Sequence, residues 1–296
     1  MAIPVLLATG KVAAIITTEG YTLPADGAVA ASKLYSEPGL NTHVPVIMGM
    51  PYSGSRPRDL SLWPWVPPTR AIMNRANNFL SAPVNTMGVP DQTPERLSKL
   101  VKKAVSNCRS VSILAIGPFS SYNAYVKSIL GKIKTVVMQG KPYDASKPES
   151  DQSFNCEYDV NACALAFNNH LSPSKHPVWV DVPRDKLPDG KYAYQPTLDM
   201  VYQLETNGLP GTIRETLLGY QGSWNAYSPD FPGGTSKLWD QSAALYFIRP
   251  NVYAQSSNGN FLTPAPSLIT PVQFQSLYSS SVNHWNRLTK KSISPF

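Results

Sequence analysis

Short β-branched runs alternate along this chain with stretches of helical periodicity. Residues 12–17 (Val-Ala-Ala-Ile-Ile-Thr) are apolar at nearly every position, as a strand buried on both faces requires. Residues 24–36 place Ala28, Ala31, Leu34 and Tyr35 on one helical face, and residues 44–48 read as a second strand. The clearest helix follows Thr93, which caps it, with Pro94 at its first position and Leu97, Leu100, Val101, Ala104 and Val105 in one apolar stripe. Strands at 111–116, 133–138 and 178–182 then alternate with helices at 121–130 and 159–168. Asp159, where the last of these helices starts, reads as its cap. This rhythm predicts one α/β domain over residues 1–296, with a Rossmann-like, mostly parallel central sheet and helices on both faces. Ligands of such sheets bind beyond the carboxyl ends of the strands. The loops of interest therefore follow Thr17, Met48, Ile116, Met138 and Val182. The stretch 205–265 is loop-rich and aromatic, and with Tyr220, Trp224 and Tyr227 it is a candidate lid. Residues 51–68 form a second loop, rich in Pro, Trp and Arg.

Composition narrows the function classes. Apolar residues make up 42% of the chain, enough for a sizeable core, while charged residues reach only 15%, so Ser, Thr, Asn, Gln and Tyr must cover much of the surface. The net charge of +7 comes from scattered lysines and arginines, with no nucleic-acid module and no zinc-finger spacing. No apolar run reaches membrane-spanning length. The four histidines show no ligand spacing, and no Asn-x-Ser/Thr sequon occurs. The three cysteines are expected to be buried free thiols, with Cys156–Cys163 pairing open in an oxidising compartment. The compartment itself stays open between cytoplasm and export.

The strand-end loops carry a family pattern. Gly117-Pro118-Phe119-Ser120-Ser121 follows a strand and opens a helix. A strand ends in Met138-Gln139-Gly140, and Ser153-Phe154-Asn155 precedes Asp159-Val160-Asn161-Ala162-Cys163. Trp239-Asp240 leads into an Ala-containing helix, and Thr17-Thr18-Glu19-Gly20-Tyr21 closes the first strand. In this order and at these intervals the segments resemble the inosine/uridine-preferring nucleoside hydrolases, across most of the chain. In that family the corresponding motifs read Gly-Pro-Leu-Thr-Asn, Met-Gly-Gly, Glu-Phe-Asn, His-Asp and Thr-Gly-Asn.

The resemblance implies hydrolysis of the N-glycosidic bond of a nucleoside. Breaking a ribosyl C–N bond builds positive charge on the sugar, and a bound divalent cation can supply the activated water. Calcium, with six to eight oxygen ligands, suits that role. On this pattern Asp240 and the carbonyl of Ser120 are implied metal ligands. Asn155 would bind the sugar hydroxyls, and Met138 would line the ribose pocket. Ser153, Tyr21 and Trp239 stand where the family has its sugar-binding Glu, an Asn and its leaving-group His. The aspartate cluster of the family's first strand has no counterpart, so the chain is expected to begin after that strand. Calcium binding is accordingly expected to be weak or absent. Residues 1–9 are expected to start as a helix, and the sheet to have an open or partly filled position beside residues 12–17. Three readings remain open. In one the protein is a hydrolase once the aspartate cluster is supplied upstream. In another it is a non-catalytic relative that binds a ligand or partner in the pocket. In the third the pocket is relict, and the protein is an interaction or structural component with an exposed aromatic, proline-rich loop. A ribosyl small molecule is the implied partner, with homo-oligomerisation an expectation by association only.

Overall fold

The computed structural model describes residues 6, 12–36, 44–54, 58–64, 66–76, 84–168, 177–183, 194, 239–257 and 260–291. Most of the segment 1–9 and the lid aromatics Tyr220, Trp224 and Tyr227 lie outside the described residues; Leu6 is helical.

Two β-branched pairs, β1 (Ile15–Ile16) and β2 (Val46–Ile47), run parallel, and an isolated parallel bridge at Met87 continues the ladder beyond β2. A five-stranded sheet lies beside them. Its members are β3 (Val111–Ala115), β4 (Ile133–Gln139), β5 (Val178–Val180), β6 (Tyr253–Gln255) and β7 (Leu262–Pro264), in the order β3-β4-β5-β7-β6. Every pairing in it is parallel except β6 with β7. The mostly parallel α/β architecture is thus as the sequence rhythm predicts.

Strand periodicity sorts the core onto two faces. Ile15, Val46, Leu114, Val137 and Val180 point to one side, where α1 (Pro24–Ser36) packs through Ala28 and Ala31. On the same side, α7 (Trp239–Ile248) contributes Ala243, Ala244 and Leu245, and α8 (Pro271–Lys291) contributes Phe274 and Tyr278. Ile16, Ile47, Ile113, Val136, Met138 and Trp179 point to the other side. There they meet α3 (Pro94–Ala104), α4 (Ser120–Tyr125) and α6 (Val160–Asn168). No described helix is long and apolar enough to cross a membrane.

The best-specified helix is α3. Thr93 Oγ1 accepts from the Arg96 N–H at 3.3 Å, and Pro94 occupies the first turn, where its missing N–H costs nothing. Beyond its far end Lys132 Nζ donates to the carbonyls of Val105 and Cys108, at 2.9 and 2.8 Å.

Several expectations are corrected. The helix foreseen over 121–130 is α-helical only to Tyr125 and tightens to a 3-10 helix over Val126–Lys132. Ser128 Oγ donates to the Tyr125 carbonyl at 2.6 Å, a local bond of the kind that competes with helical pairing. The Pro/Trp/Arg loop gives way at α2 (Val66–Ala76), whose Pro67 and Pro68 fall in the first turn, where helical N–H groups have no partner anyway. Within the stretch read as loop-rich, the described residues hold the Ala-containing helix expected after Trp239-Asp240, as α7, and also the β6–β7 hairpin. A short helix, α5 (Phe154–Tyr158), precedes α6, and Cys156 and Cys163 join the two as a disulfide instead of remaining free. The two side chains sit one to two helical turns apart on consecutive helices, with Cα atoms 4.9 Å apart, within disulfide reach.

The sheet breaks between β1 and β3, and among the described residues no strand ladder joins them. Hydroxyl groups close the break at its carboxyl end. Thr18 Oγ1 donates to the Pro118 carbonyl and lies 3.1 Å from Ser120 Oγ. Ser121 Oγ donates to the Thr17 carbonyl at 2.8 Å and accepts from the Met50 N–H at 2.7 Å.

Candidate functional site

The loops after β1, β2, β3 and β4 meet above the strand ends, together with α5. The approach is tight: a Cβ on Gly49 would lie 1.7 Å from the Thr17 carbonyl oxygen, so only glycine fits where the β2 loop crosses the β1 loop.

Glu19 is buried at the centre of this junction. Its Oε2 accepts from the Tyr52 N–H at 2.9 Å and its Oε1 from the Tyr158 hydroxyl at 2.9 Å. The Arg70 guanidinium lies 3.7 Å from Oε1, and Arg70 Nη2 also donates to the Gly20 carbonyl and to Tyr158 Oη, at 2.7 and 2.8 Å. Burial, with the Glu19 charge beside it, pushes the Tyr158 phenol well above its ordinary value, so it stays a neutral donor.

Asp159 caps α6, its Oδ1 accepting from the Ala162 N–H at 3.0 Å, as the sequence reading expects. It also holds the β2 loop: Ser53 N donates to Oδ2 at 2.9 Å and Ser53 Oγ donates to Oδ1.

The same loop folds Arg58 into an aromatic stack. Its guanidinium carbon is 4.5 Å from the ring centres of Tyr52 and Trp63 and 5.8 Å from that of Tyr158. Nη1 donates to Tyr52 Oη at 2.8 Å, and Nη2 pairs with Glu149 at 3.0 Å. Trp63 is fully buried and donates through Nε1 to Glu157 at 2.9 Å. Burial raises the pKa of Glu157, opposed by that hydrogen bond and by Arg58.

The residues singled out in the sequence divide between the two faces. Tyr21 stacks on Phe154, ring centres 4.5 Å apart and 15° from parallel. Phe154 lies between Ser153 and Asn155, so the three positions are brought together at the start of α5. Ser153 Oγ donates to the Lys141 carbonyl at 3.2 Å. Asn155 Nδ2 donates to Oε1 of Gln139 at 2.8 Å and to its carbonyl at 3.3 Å. Ser120 Oγ lies 3.1 Å from Thr18 Oγ1, in the loop that carries Tyr21. Met138 is fully enclosed in the core beneath them. Trp239 and Asp240 open α7, which packs on β4 and β5, and Trp239 packs against the core of the α1 and α8 face. Burial raises the Asp240 carboxyl to about 6.

Calcium requires six to eight oxygens. Among the described residues no three or more His, Cys, Asp or Glu side chains cluster as a metal site would need. Glu19, in the loop after β1, and Asp159, before α6, each accept from protein donors through both oxygens. These residues do not fit the ion, and no chemical step is derived through it.

The sequence reading missed Glu19, Tyr52, Arg58, Trp63, Arg70 and Tyr158. The Pro/Trp/Arg loop was a visible signal, but its partners lie up to 106 positions away.

No family model and no curated protein matches the sequence. Among solved structures, the purine-preferring ribonucleoside hydrolase from Gardnerella vaginalis has a similar fold, with a TM-score of 0.62 at 13% identity. The likeness covers 97% of this chain and 95% of that one. The chain therefore has a nucleoside hydrolase-like fold.

Proposed function

We propose that this protein takes a nucleoside, or a related ribosyl compound, at the carboxyl ends of β1 to β4, and that it is an N-ribosyl hydrolase-like protein. The observation that supports this reading is the meeting of Tyr21, Ser153 and Asn155 at the start of α5. Motif resemblance puts Ser153 and Asn155 at sugar-binding positions and Tyr21 where the family has an Asn, and the fold is similar to that of a ribonucleoside hydrolase. Asn155 commits its amide nitrogen to Gln139, so its acceptor oxygen is the atom left for a sugar hydroxyl. The stacked Tyr21–Phe154 pair offers an aromatic surface against which a base or sugar face can lie. Binding and orientation are what these side chains can perform.

Calorimetry with inosine and uridine tests the binding, and chromatography of the released base tests hydrolysis. Both are run on the chain as it stands and on a chain extended upstream of Met1 by a strand bearing Asp-x-Asp-x-x-x-Asp-Asp. Saturable binding by the chain as it stands, with calcium-dependent base release from the extended one, is the expected result. Absence of saturable binding by either chain would overturn the reading.

A second reading, a non-catalytic ribosyl-binding protein, is favoured by one observation. Glu19 and Asp159 accept from protein donors through both oxygens, and Arg58 is stacked among the surrounding aromatic rings. Binding without base release in both chains would select it.

A further inference from the structure

The basic residues that read as scattered are concentrated in one segment. Between Glu95 and Asp144 the chain has no acidic residue, and the interval holds nine lysines and arginines, more than the +7 by which the whole chain departs from neutrality. The fold gathers most of them on one face. Ser98 Oγ donates to the Ala124 carbonyl at 2.6 Å, so α3 lies alongside the segment in which α4 runs into the 3-10 helix. One turn beyond this bond stand Lys102 on α3 and Lys127 on the 3-10 segment, both exposed, as are Lys99 and Lys103. The bonds from Lys132 to the carbonyls of Val105 and Cys108 draw the end of the 3-10 helix to the chain that leads into β3. Val111 pairs with Ile133, so the exposed Arg109 and Lys134 emerge at the adjacent amino ends of β3 and β4.

Among the described residues none of these cations meets a carboxylate: the ion pairs there engage Arg58, Arg70 and Lys147. Glu95 lies at the far end of α3, in its first turn, and the neighbouring α6 carries no charged residue. Lys99 faces Lys102 and Lys103 at spacings of three and four, where like charges oppose the helix. Complementing the α3 dipole explains Lys102 and Lys103 in its last turn. It gives no reason for Arg109, Lys127 and Lys134.

The rest of the face says what it meets. Leu130 is 36% exposed, and a Cβ on the adjoining Gly131 would meet nothing within 4 Å, so the pair forms a tip directed to open solvent. Phe119, Tyr122 and Tyr125, the aromatic residues nearest it in sequence, are buried and cannot stack a base. Of the cations named, all but Arg109 are lysines, compact charges without the planar fork that grips a phosphate in two places. Lysines around an apolar tip match an anionic lipid surface, where ammonium groups meet headgroups and the apolar side chain enters the interface. The apolar stripe of α3 is committed to the core through Leu97 and Val101, so such an attachment is peripheral.

We propose that this face docks the protein on an anionic membrane surface, with Lys102, Lys127 and Arg109 over the headgroups and Leu130 in the interface. The carboxyl ends of the strands, at the other pole of the sheet, then stay open to solution.

The test is co-sedimentation of the full chain with vesicles of phosphatidylcholine alone and with vesicles in which phosphatidylserine makes up about a third of the lipid. The chain is compared with Lys102→Gln/Lys127→Gln, with Leu130→Gln, and with a control of equal charge, Lys33→Gln/Arg249→Gln. The melting temperature of each variant verifies that it folds. Binding is expected only to the phosphatidylserine vesicles, and it should fall as salt rises from about 0.1 M to about 1 M. A basic residue near such a surface is worth about fivefold in partitioning, so Lys102→Gln/Lys127→Gln should bind at least about tenfold more weakly. The control should stay within about twofold of the parent, and Leu130→Gln should lose about threefold or more. Equal binding to both vesicle types, binding to neither, or equal losses in the two double variants would overturn the proposal. Full binding by Leu130→Gln would overturn it as well. So would binding of mixed-sequence duplex DNA with none to vesicles, which would make the face a nucleic-acid surface instead.

Discussion

Glu19 shows how much one residue can organise. It lies next to a glycine in a loop, yet it ties three segments together through Tyr52, Arg70 and Tyr158. Glu19→Ala would leave the Arg70 charge and the Tyr158 hydroxyl without their common acceptor. Breaking a buried, hydrogen-bonded ion pair costs about 3 kcal/mol, and urea denaturation should show a loss of that size. Glu157 behaves in the opposite sense. Burial raises its folded pKa above the unfolded value. Such a group contributes stability that is complete below the unfolded pKa and is lost as pH rises through the folded one. Glu157→Gln cannot ionise and keeps an acceptor for Trp63 Nε1. The variant should match the parent below about pH 4 and exceed it at about pH 8, by about 1 kcal/mol or less because the group is partly solvated. Urea midpoints at the two pH values decide it, and a parent at least as stable as the variant at the higher pH would refute the assignment.

At the scale of elements, the strand ends are joined by close backbone approach rather than by a continuous ladder. Gly49→Ala would drive a methyl group into the Thr17 carbonyl. Neither strand can retreat without breaking the bond from Ser121 to Thr17 or that from Gly49 N–H to Thr17 Oγ1. A loss of about 3 kcal/mol or more is expected, at the upper end of overpacking effects, with a matching fall in the chemical denaturation midpoint. The α5–α6 pair is held by its disulfide, which closes a loop of only seven residues' separation. Loop-closure entropy for so short a span gives a stabilisation of about 2 kcal/mol. Reduction with dithiothreitol, or Cys163→Ala, should therefore lower the melting temperature by several degrees. It should also weaken ribosyl binding, because Asn155 and Ser153 lie on the stapled helix. An unchanged melting temperature after verified reduction would show that the pair contributes nothing to the fold.

On the scale of the whole molecule, the fold places its strand carboxyl ends under a lattice of its own side chains. With no three His, Cys, Asp or Glu side chains clustered among the described residues, calcium in chelator-treated buffer should not bind with micromolar affinity, and chelation should leave the melting temperature unchanged. Titration calorimetry and thermal denaturation measure the two. Micromolar binding would reveal ligands other than these carboxylates.

The α/β alternation was legible along the chain because each element carries its own period. Thr93-Pro94 and the apolar stripe of α3 specify that helix locally. Residues 12–17 announce a strand, although only Ile15 and Ile16 form it and both are half-buried, and Asp159 announces a cap. Tyr21, Ser153 and Asn155 stand out in the sequence because they lie in short motifs. Other elements were not legible, because three-residue strands such as Tyr253–Gln255 and Leu262–Pro264 are too short to show a period. The start of α8 did carry a signal: Thr270 and Gln273 cap it reciprocally. That box was overlooked because the helix behind it is polar.

What the sequence determined by itself is therefore local: where helices start, which runs are buried, and which motif residues stand at strand ends. Only the tertiary structure decided which of them meet. Glu19 and Tyr158 are 139 positions apart, Ser53 and Asp159 are 106 apart, and the cysteine pair depends on how α5 turns into α6. Periodicity reports the environment of each residue, whereas the partner of a buried charge is set by the packing of distant segments, which leaves no periodic trace in the chain.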